Sequence, residues 1–153
     1  MAQSARLSRT LRKGYARAAM KWSDEYYSTG VERIDNQHKM LFRMSEDFRT
    51  SLDDGLGDRI YDGLLKSLDM YARSHFRLEE NCMASCECPA AKENSGAHRR
   101  FMETLREFQD RYSADGFAPG EARELVDYID RWLSDHIGRI DVQLKPFDAQ
   151  FKG

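Results

Sequence analysis

The chain has 153 residues, of which 41% are hydrophobic and 33% charged, a composition typical of one folded domain and not of a disordered segment. No run of apolar residues exceeds three, so the sequence predicts neither a membrane span nor a signal-peptide core, and we expect a cytoplasmic protein. The three cysteines all lie between positions 82 and 88, which excludes the disulfide framework of a small secreted domain.

The net charge of −2 conceals an uneven distribution along the chain. Six of the 24 basic residues and no acidic residue fall in the first 21 positions, which leaves 18 basic against 26 acidic residues, about −8, in the body. We expect this acidic body not to bind nucleic acid. Residues 1–20 form a predicted basic extension, interpreted as a transit peptide, a contact for anionic lipid or protein, or a solvated arm, and 21–153 form the predicted domain.

Four amphipathic stretches follow, each with apolar residues at the three- and four-residue spacing of a helix. Each stretch ends at a segment that contains glycine or proline or at a short polar break. The breaks lie at 53–57, between Cys82 and Ala91, at 113–116 ahead of Pro119, and at Pro146, which is predicted to close the fourth helix. Three short connections between four such helices predict an all-α, up-down-up-down antiparallel four-helix bundle.

The chain has four histidines, and each predicted helix carries one of them on its apolar face. A single buried histidine is usually a hydrogen-bonded core residue, but one from every helix of a bundle indicates ligands that converge on a metal. His75 and Glu79 are four residues apart and therefore lie on one face of the second helix. A buried carboxylate needs a cation, and imidazole with carboxylate suits iron or manganese, with zinc as a further candidate.

Over about residues 22–145 the sequence resembles the hemerythrin family, in particular its bacterial members. The segments that carry the resemblance are Lys21-Trp22-Ser23, Ser28-Thr29-Gly30-Val31, Ile34-Asp35-Asn36-Gln37-His38, His75-Phe76-Arg77-Leu78-Glu79-Glu80, Trp132-Leu133-Ser134-Asp135-His136-Ile137 with Asp141, and Cys88-Pro89 followed by Asn94 and His98. Each motif alone is weak, but their order and spacing together are specific.

The resemblance implies a hemerythrin-like bundle with two non-haem iron ions, bridged by two carboxylates and a solvent-derived oxo or hydroxo group. The implied ligands are His38 and His75 on the iron with a vacant position, His98 and His136 on the other, and the bridging Glu79 and Asp141. Five residues turn an ideal helix by about 140°, so helical geometry does not aim both His136 and Asp141 inward. Asp141 is therefore assigned from the resemblance alone.

Asn94 departs from the family, which has a histidine at this position. An amide oxygen is a poorer ligand for iron than an imidazole, which leaves open weak ligation by Asn94, a water in its place, or loss of affinity for that metal. Apolar residues next to the ligands are expected to form a dry pocket for dioxygen, which limits the access of protons. The pocket residues are Leu41, Phe76, Trp132, Leu133 and Ile137.

The function implied by the resemblance is binding of dioxygen or a related small oxidant by a carrier, store or sensor, which favours a metalloprotein that is not an enzyme. A di-iron redox enzyme acting on peroxide, nitric oxide or dioxygen is the alternative, because Asn94 could leave the second iron open. A metal buffer without redox chemistry is a third interpretation.

Three cysteines, Cys82, Cys86 and Cys88, lie at the connection between the second and third helices. A thiol redox switch or a second soft-metal site is one interpretation. The other is a reduced turn with one cysteine buried at the helix end. No further histidine or cysteine is available to complete a tetrahedral zinc site, which favours the second interpretation.

Overall fold

The computed structural model describes residues 21–152, so the predicted basic extension lies outside the described residues and its contacts remain predictions. Within the described part the chain is helical and contains no strand. The elements are α1 (Asp24–Tyr27), α2 (Glu32–Asp53), α3 (Gly57–Ser85), α4 (Ala91–Asp115), α5 (Pro119–Arg139) and a 3-10 helix (Asp141–Phe151). None of the described helices is long and apolar enough to cross a membrane.

The four long helices form the antiparallel bundle that the sequence predicts. Connections of three, five and three residues join them, which is too short for anything but neighbouring, antiparallel packing. Helix α2 packs against both α3 and α5, α4 packs against α3, and a smaller contact between α4 and α5 closes the ring. The prediction of an up-down-up-down bundle is confirmed.

The two ends of the bundle differ in how their helices stop. At one end, here called the far end, α2 and α4 are followed by Gly55 and Gly116, both in the left-handed region at φ 76°. At the other end, here called the metal end, α3 ends at Ser85 and is followed by Glu87, a non-glycine residue with φ 53°. The amide of Cys88 donates to the carbonyl of Met83 (2.9 Å), so this end has the hydrogen bonding of a Schellman cap.

The bundle interior has two apolar clusters with a polar layer between them. The larger cluster fills the far end and the middle of the bundle, and it includes the buried side chains of Leu52, Tyr61, Leu105, Phe108 and Leu125. The smaller one closes the metal end with Ile34, Met83, Cys86, Cys88, Ile140 and Leu144. The layer between them contains the four histidines with Glu79 and Asp141, all of them buried.

The end of the fourth long helix differs from the sequence-based prediction. Helix α5 ends at Arg139 and not at Pro146, which lies inside the 3-10 helix that follows. The amide of Ile140 still donates to the carbonyl of His136 (2.8 Å), and the backbone then tightens into three residues per turn. This change places both Ile140 and Leu144 in the small apolar cluster, and it turns Asp141 to the interior.

Candidate metal centre

The six ligands expected from the sequence lie together in the polar layer. Each of these residues is at most 2% exposed. They are His38 on α2, His75 and Glu79 on α3, His98 on α4, His136 on α5, and Asp141 at the start of the 3-10 helix.

Glu79 lies between two pairs of imidazoles. Its Oε2 atom is 3.0 Å from Nε2 of His38 and 3.4 Å from Nε2 of His75. Its other oxygen, Oε1, is 3.1 Å from Nε2 of His98 and 3.9 Å from Nε2 of His136. One carboxylate therefore faces both pairs, one oxygen to each, which is the arrangement required of a bridging ligand.

Asp141 contacts one histidine from each of the same two pairs. Its Oδ2 atom is 3.1 Å from Nε2 of His38, and its Oδ1 atom is 3.0 Å from Nε2 of His136. An uninterrupted α-helix would turn Asp141 away from His136. Because α5 ends at Arg139 and a tighter helix follows, both side chains face the same centre.

The spacing of these atoms fits a metal site. In an octahedron with metal–ligand bonds of about 2.1 Å, adjacent ligand atoms stand about 3 Å apart, and most of the distances above are of that size. Oε1 of Glu79 and both carboxylate oxygens of Asp141 are buried and accept no hydrogen bond of normal geometry. Buried anionic oxygens in that condition are costly unless a cation compensates them.

Two of the histidines are oriented by residues on neighbouring helices. Nδ1 of His75 donates to Oε1 of Gln37 (2.7 Å), and Nδ1 of His98 donates to Oε1 of Glu80 (3.0 Å). Each bond leaves Nε2 free to bind a metal and increases its basicity. The sequence pattern alone predicts no role for Gln37 or Glu80. Each residue is adjacent in sequence to a candidate ligand, which is the only sequence feature that points to it. Neither residue bonds to that adjacent ligand, because Gln37 bonds to His75 and Glu80 bonds to His98.

Asn94 is part of the same centre. The residue is fully buried, and its Oδ1 atom lies 2.9 Å from Nε2 of His136. This distance is close to the shortest ones between the candidate ligand atoms, so the amide oxygen faces the same centre as His136. Its Nδ2 group is buried without a hydrogen-bond partner among the described residues.

Comparison with known proteins agrees with this arrangement. Residues 29–147 match the family model described as "Hemerythrin HHE cation binding domain". The chain belongs to the hemerythrin family. The bacteriohemerythrin of Pseudomonas aeruginosa is 29% identical over 124 residues, which cover 81% of this chain and 78% of that protein. The bacteriohemerythrin of Clostridium acetobutylicum is 27% identical over 123 residues, which cover 76% and 91%.

The fold has a counterpart among solved structures. A crystal structure of wild-type hemerythrin superposes with a TM-score of 0.71 at 24% identity, covering 84% of this chain and 97% of that one. A crystal structure of a hemerythrin leucine-to-tyrosine mutant gives 0.71 at 22% identity, covering 86% and 98%. The family resemblance and the helical bundle that the sequence predicts are both confirmed.

The electrostatics of this hemerythrin centre favour cations. Burial alone would lower the pKa of His38, but its bonds with Asp141 and Glu79 raise it to about 10. The pKa of His136 rises to about 9 for the same reasons. Burial would raise the pKa of Glu79, but contact with the imidazoles holds it well below its usual value, whereas burial lowers the pKa of His75. The Nε2 atoms thus lie in a negative potential where a proton and a metal ion compete.

The expected pocket residues surround the centre unevenly. All five belong to the larger apolar cluster, with Trp132 partly buried and the others buried. The ring of Phe76 stacks on His98 at 3.8 Å between centroids, and the indole of Trp132 stacks on His136 at 4.3 Å. The aromatic members therefore stack on the second pair of histidines, although Phe76 also lies 5.8 Å from His75 of the pair expected to have the vacant position.

The cysteines lie beyond the centre, at the metal end. Cys86 and Cys88 are both buried in the small apolar cluster, one more than expected, and Cys82 is half-buried. Burial raises the pKa of the Cys82 and Cys86 thiols, which disfavours the reactive thiolate. Among the described residues, neither group able to hold a metal ion includes a cysteine.

Proposed function

We propose that this centre holds two iron ions and binds dioxygen or a related small oxidant. The observation that carries the proposal is the pair of shared carboxylates, Glu79 and Asp141, each with one oxygen directed to either side of the centre. On this proposal, His38 and His75 hold one iron and the other binds His98 and His136. The family's cation-binding description and the printed names of the relatives support the assignment.

Iron follows from the kind and number of donors. Imidazole with carboxylate and without thiolate suits iron, and two ferrous ions can together supply the two electrons that dioxygen accepts. The side of His38 and His75 has two imidazoles and two carboxylates, whereas the other side has Asn94 as an additional donor. The position with fewer protein ligands is therefore the one that we assign to the oxidant.

The apolar residues around the ligands have a separate task in this proposal. Leu41, Leu133 and Ile137 are buried, and together with Phe76 and the partly buried Trp132 they separate the centre from solvent. Excluding water limits protonation and loss of a reduced oxygen species, so binding can remain reversible.

The direct test is optical. The purified protein is reconstituted with ferrous iron without air, its metal content is measured, and oxygen is then admitted while visible absorption is recorded. We expect about two iron ions per chain and a charge-transfer band that disappears when oxygen is removed. His75→Gln should abolish the band, whereas Tyr71→Phe, a conservative change one turn earlier on α3, should retain it. Iron binding without any oxygen-dependent band would contradict the proposed dioxygen binding.

A second candidate function is a di-iron redox enzyme acting on peroxide or nitric oxide. The observation in its favour is the amide oxygen of Asn94, which lies 2.9 Å from Nε2 of His136. The sequence resemblance implies an imidazole at this position, and an amide there would hold the second metal less strongly. Rapid bleaching of the oxygen-dependent band, with slower bleaching in Asn94→His, would favour this enzyme. Equal bleaching rates in the parent protein and in Asn94→His would favour dioxygen binding over this enzyme. Retention of redox-inert zinc in place of iron would favour a metal buffer.

A further inference from the structure

The chain contains two tryptophans, and each lies beside a histidine of the metal centre. The indole of Trp132 stacks almost parallel on His136, with 4.3 Å between centroids and 11° between planes. The indole of Trp22 lies 6.4 Å from His38 and is tilted by 34°. Indole is the most easily oxidised of the aromatic side chains at such a distance, so Trp132 is in the better position to exchange an electron with the centre.

An aromatic path continues from Trp132 towards the surface. Trp132 packs on Phe101 at 4.6 Å between centroids, and Tyr128 stacks on the same ring at 5.8 Å and 24°. Tyr128 also precedes Trp132 by one turn of α5, so the two side chains are neighbours on one helix face. Phe76 and Phe101 complete the cluster, but a phenyl ring is much harder to oxidise than an indole or a phenol. Trp132 and Tyr128 are therefore the oxidisable members.

The charged groups around the two tryptophans differ. The ammonium group of Lys39 lies 5.3 Å above the ring of Trp22. A positive charge at that distance opposes the loss of an electron from the indole, because it destabilises the radical cation. No such cation lies over Trp132 among the described residues. The indole N–H of Trp22 also donates to the carboxylate of Asp24 (2.6 Å), which offsets the lysine charge. The closer and more parallel stacking of Trp132 on its histidine is therefore what distinguishes it from Trp22, and the two tryptophans provide a matched pair for the test.

We propose that Trp132 and Tyr128 form an electron-transfer path between the metal centre and the protein surface. The path rests on the proposed function, because a centre that has reacted with peroxide or dioxygen supplies the oxidant. The oxidised centre gains one electron from the indole of Trp132. Trp132 regains it from Tyr128, whose phenol loses that electron and releases its proton to solvent. A small thiol or ascorbate-like reductant at the surface then returns one electron, and solvent returns the proton.

The phenol of Tyr128 suits the last protein step. Burial raises the pKa of Tyr128, and a hydrogen bond with Thr104 acts in the opposite direction. The phenol therefore retains its proton at neutral pH and releases it only on oxidation. Its ring is only partly buried, so solvent and a small reductant have access. The path would remove oxidising equivalents that otherwise damage the ligands.

The first experiment needs no metal. In chelator-treated Trp22→Phe protein, Trp132 is the remaining tryptophan, and pulse radiolysis with a tryptophan-selective oxidant generates its radical. We expect decay of the indole radical with matching growth of a phenoxyl radical, at a rate independent of protein concentration. Adding Tyr128→Phe should abolish this growth, whereas adding Tyr27→Phe should leave it unchanged. Phenoxyl growth that survives Tyr128→Phe would overturn the path.

The second experiment uses the iron-loaded full chain and hydrogen peroxide. Iron content is measured first, so failure to bind iron counts against the proposed function, while the first experiment still decides the path. With iron bound, freeze-quenched samples should show an organic radical by electron paramagnetic resonance, reduced to background in Trp132→Phe and retained in Trp22→Phe. Trp132→Tyr should restore a radical, which distinguishes lost redox chemistry from lost packing. Iron-loaded protein without any organic radical would overturn the inference.

Discussion

The metal end and the far end of this hemerythrin bundle are built from the same four helices with the same interior spacing, yet different physical terms stabilise them. At the far end the inward positions are occupied by apolar and aromatic side chains such as Tyr61, Leu105 and Leu125. In the polar layer the equivalent positions are occupied by histidines and carboxylates that are equally buried. Helical periodicity specifies which residues are inside, and only their chemistry distinguishes a core from a site.

The two ends also differ in the free energy that burial contributes. Burial of apolar surface stabilises the far end by about 25 cal/mol per Å² whatever is bound elsewhere. Burial of Glu79 and Asp141 destabilises the polar layer unless cations, either protons on imidazoles or metal ions, compensate the charges. The far end should therefore respond to changes in packing, and the metal end to changes in metal content and pH.

Removing the central carboxylate should have the largest effect. In Glu79→Ala, both pairs of imidazoles lose the oxygen that faces them, so we expect the metal content to fall from about two ions per chain to nearly none. Thermal stability should fall with it, because ligand binding stabilises the folded state by mass action. Metal analysis and thermal unfolding, each with and without chelator, measure both effects. Metal content equal to that of the parent protein would refute the bridging role.

A cavity at the far end should have the opposite signature. Leu105 is 1% exposed within the larger apolar cluster, and Leu105→Ala should lower the free energy of unfolding by about 3 kcal/mol. Metal content should stay at the parent value, since no ligand contacts this part of the core. Urea unfolding and metal analysis of the same sample check the pair of expectations. Loss of metal in this variant would show that the two ends are coupled.

The sequence was sufficient where local spacing carries the information. The three- and four-residue spacing of apolar residues predicts four helices, and the four histidines on their inner faces predict where the helices converge. Helical spacing could not place Asp141, because its orientation depends on the change from α5 to a 3-10 helix at Ile140. Helical spacing also could not predict the roles of Gln37 and Glu80. Each residue orients a histidine on another helix, and such contacts depend on how the helices pack.

The response to pH should also separate the ends. The pKa values of His38 and His136, about 10 and about 9, exceed the ordinary value of 6.5. Their contribution to stability is therefore fully present below pH 6.5 and is lost as the pH rises through 9 to 10. At about 1.4 kcal/mol per unit of pKa shift, chelator-treated protein should lose several kcal/mol between pH 6.5 and 9.5. Zinc-loaded protein should not, and Leu105→Ala should retain the slope. A flat profile without metal would contradict this.

The support that Glu80 gives to His98 should have a smaller effect. Glu80→Gln keeps an oxygen acceptor but removes the negative charge that makes the imidazole more basic, so metal affinity should fall by about ten-fold. Competition titrations against a chelator measure this change. Glu93→Gln is the matched control, because Glu93 is on the same helix as His98 but pairs with Arg139 at the surface. Equal affinities for both variants and the parent would show that Glu80 does not tune the site.

The smallest expected effect concerns the helix caps at the two ends. Glu87 adopts φ 53° at the end of α3, where a side chain costs about 1 kcal/mol relative to glycine. Glu87→Gly should therefore stabilise the protein by about 0.5 kcal/mol, since the greater freedom of glycine in the unfolded chain offsets part of the gain. Glu87→Ala keeps the β-carbon and should give no such gain.

At the far end, Gly55 has φ 76° and a β-carbon there would contact nothing, so Gly55→Ala should destabilise by about 1 kcal/mol through the backbone alone. Urea unfolding of the three variants tests the opposite signs. A loss of stability in Glu87→Gly would mean that the carboxylate of Glu87, and not the geometry of its backbone, stabilises the metal end.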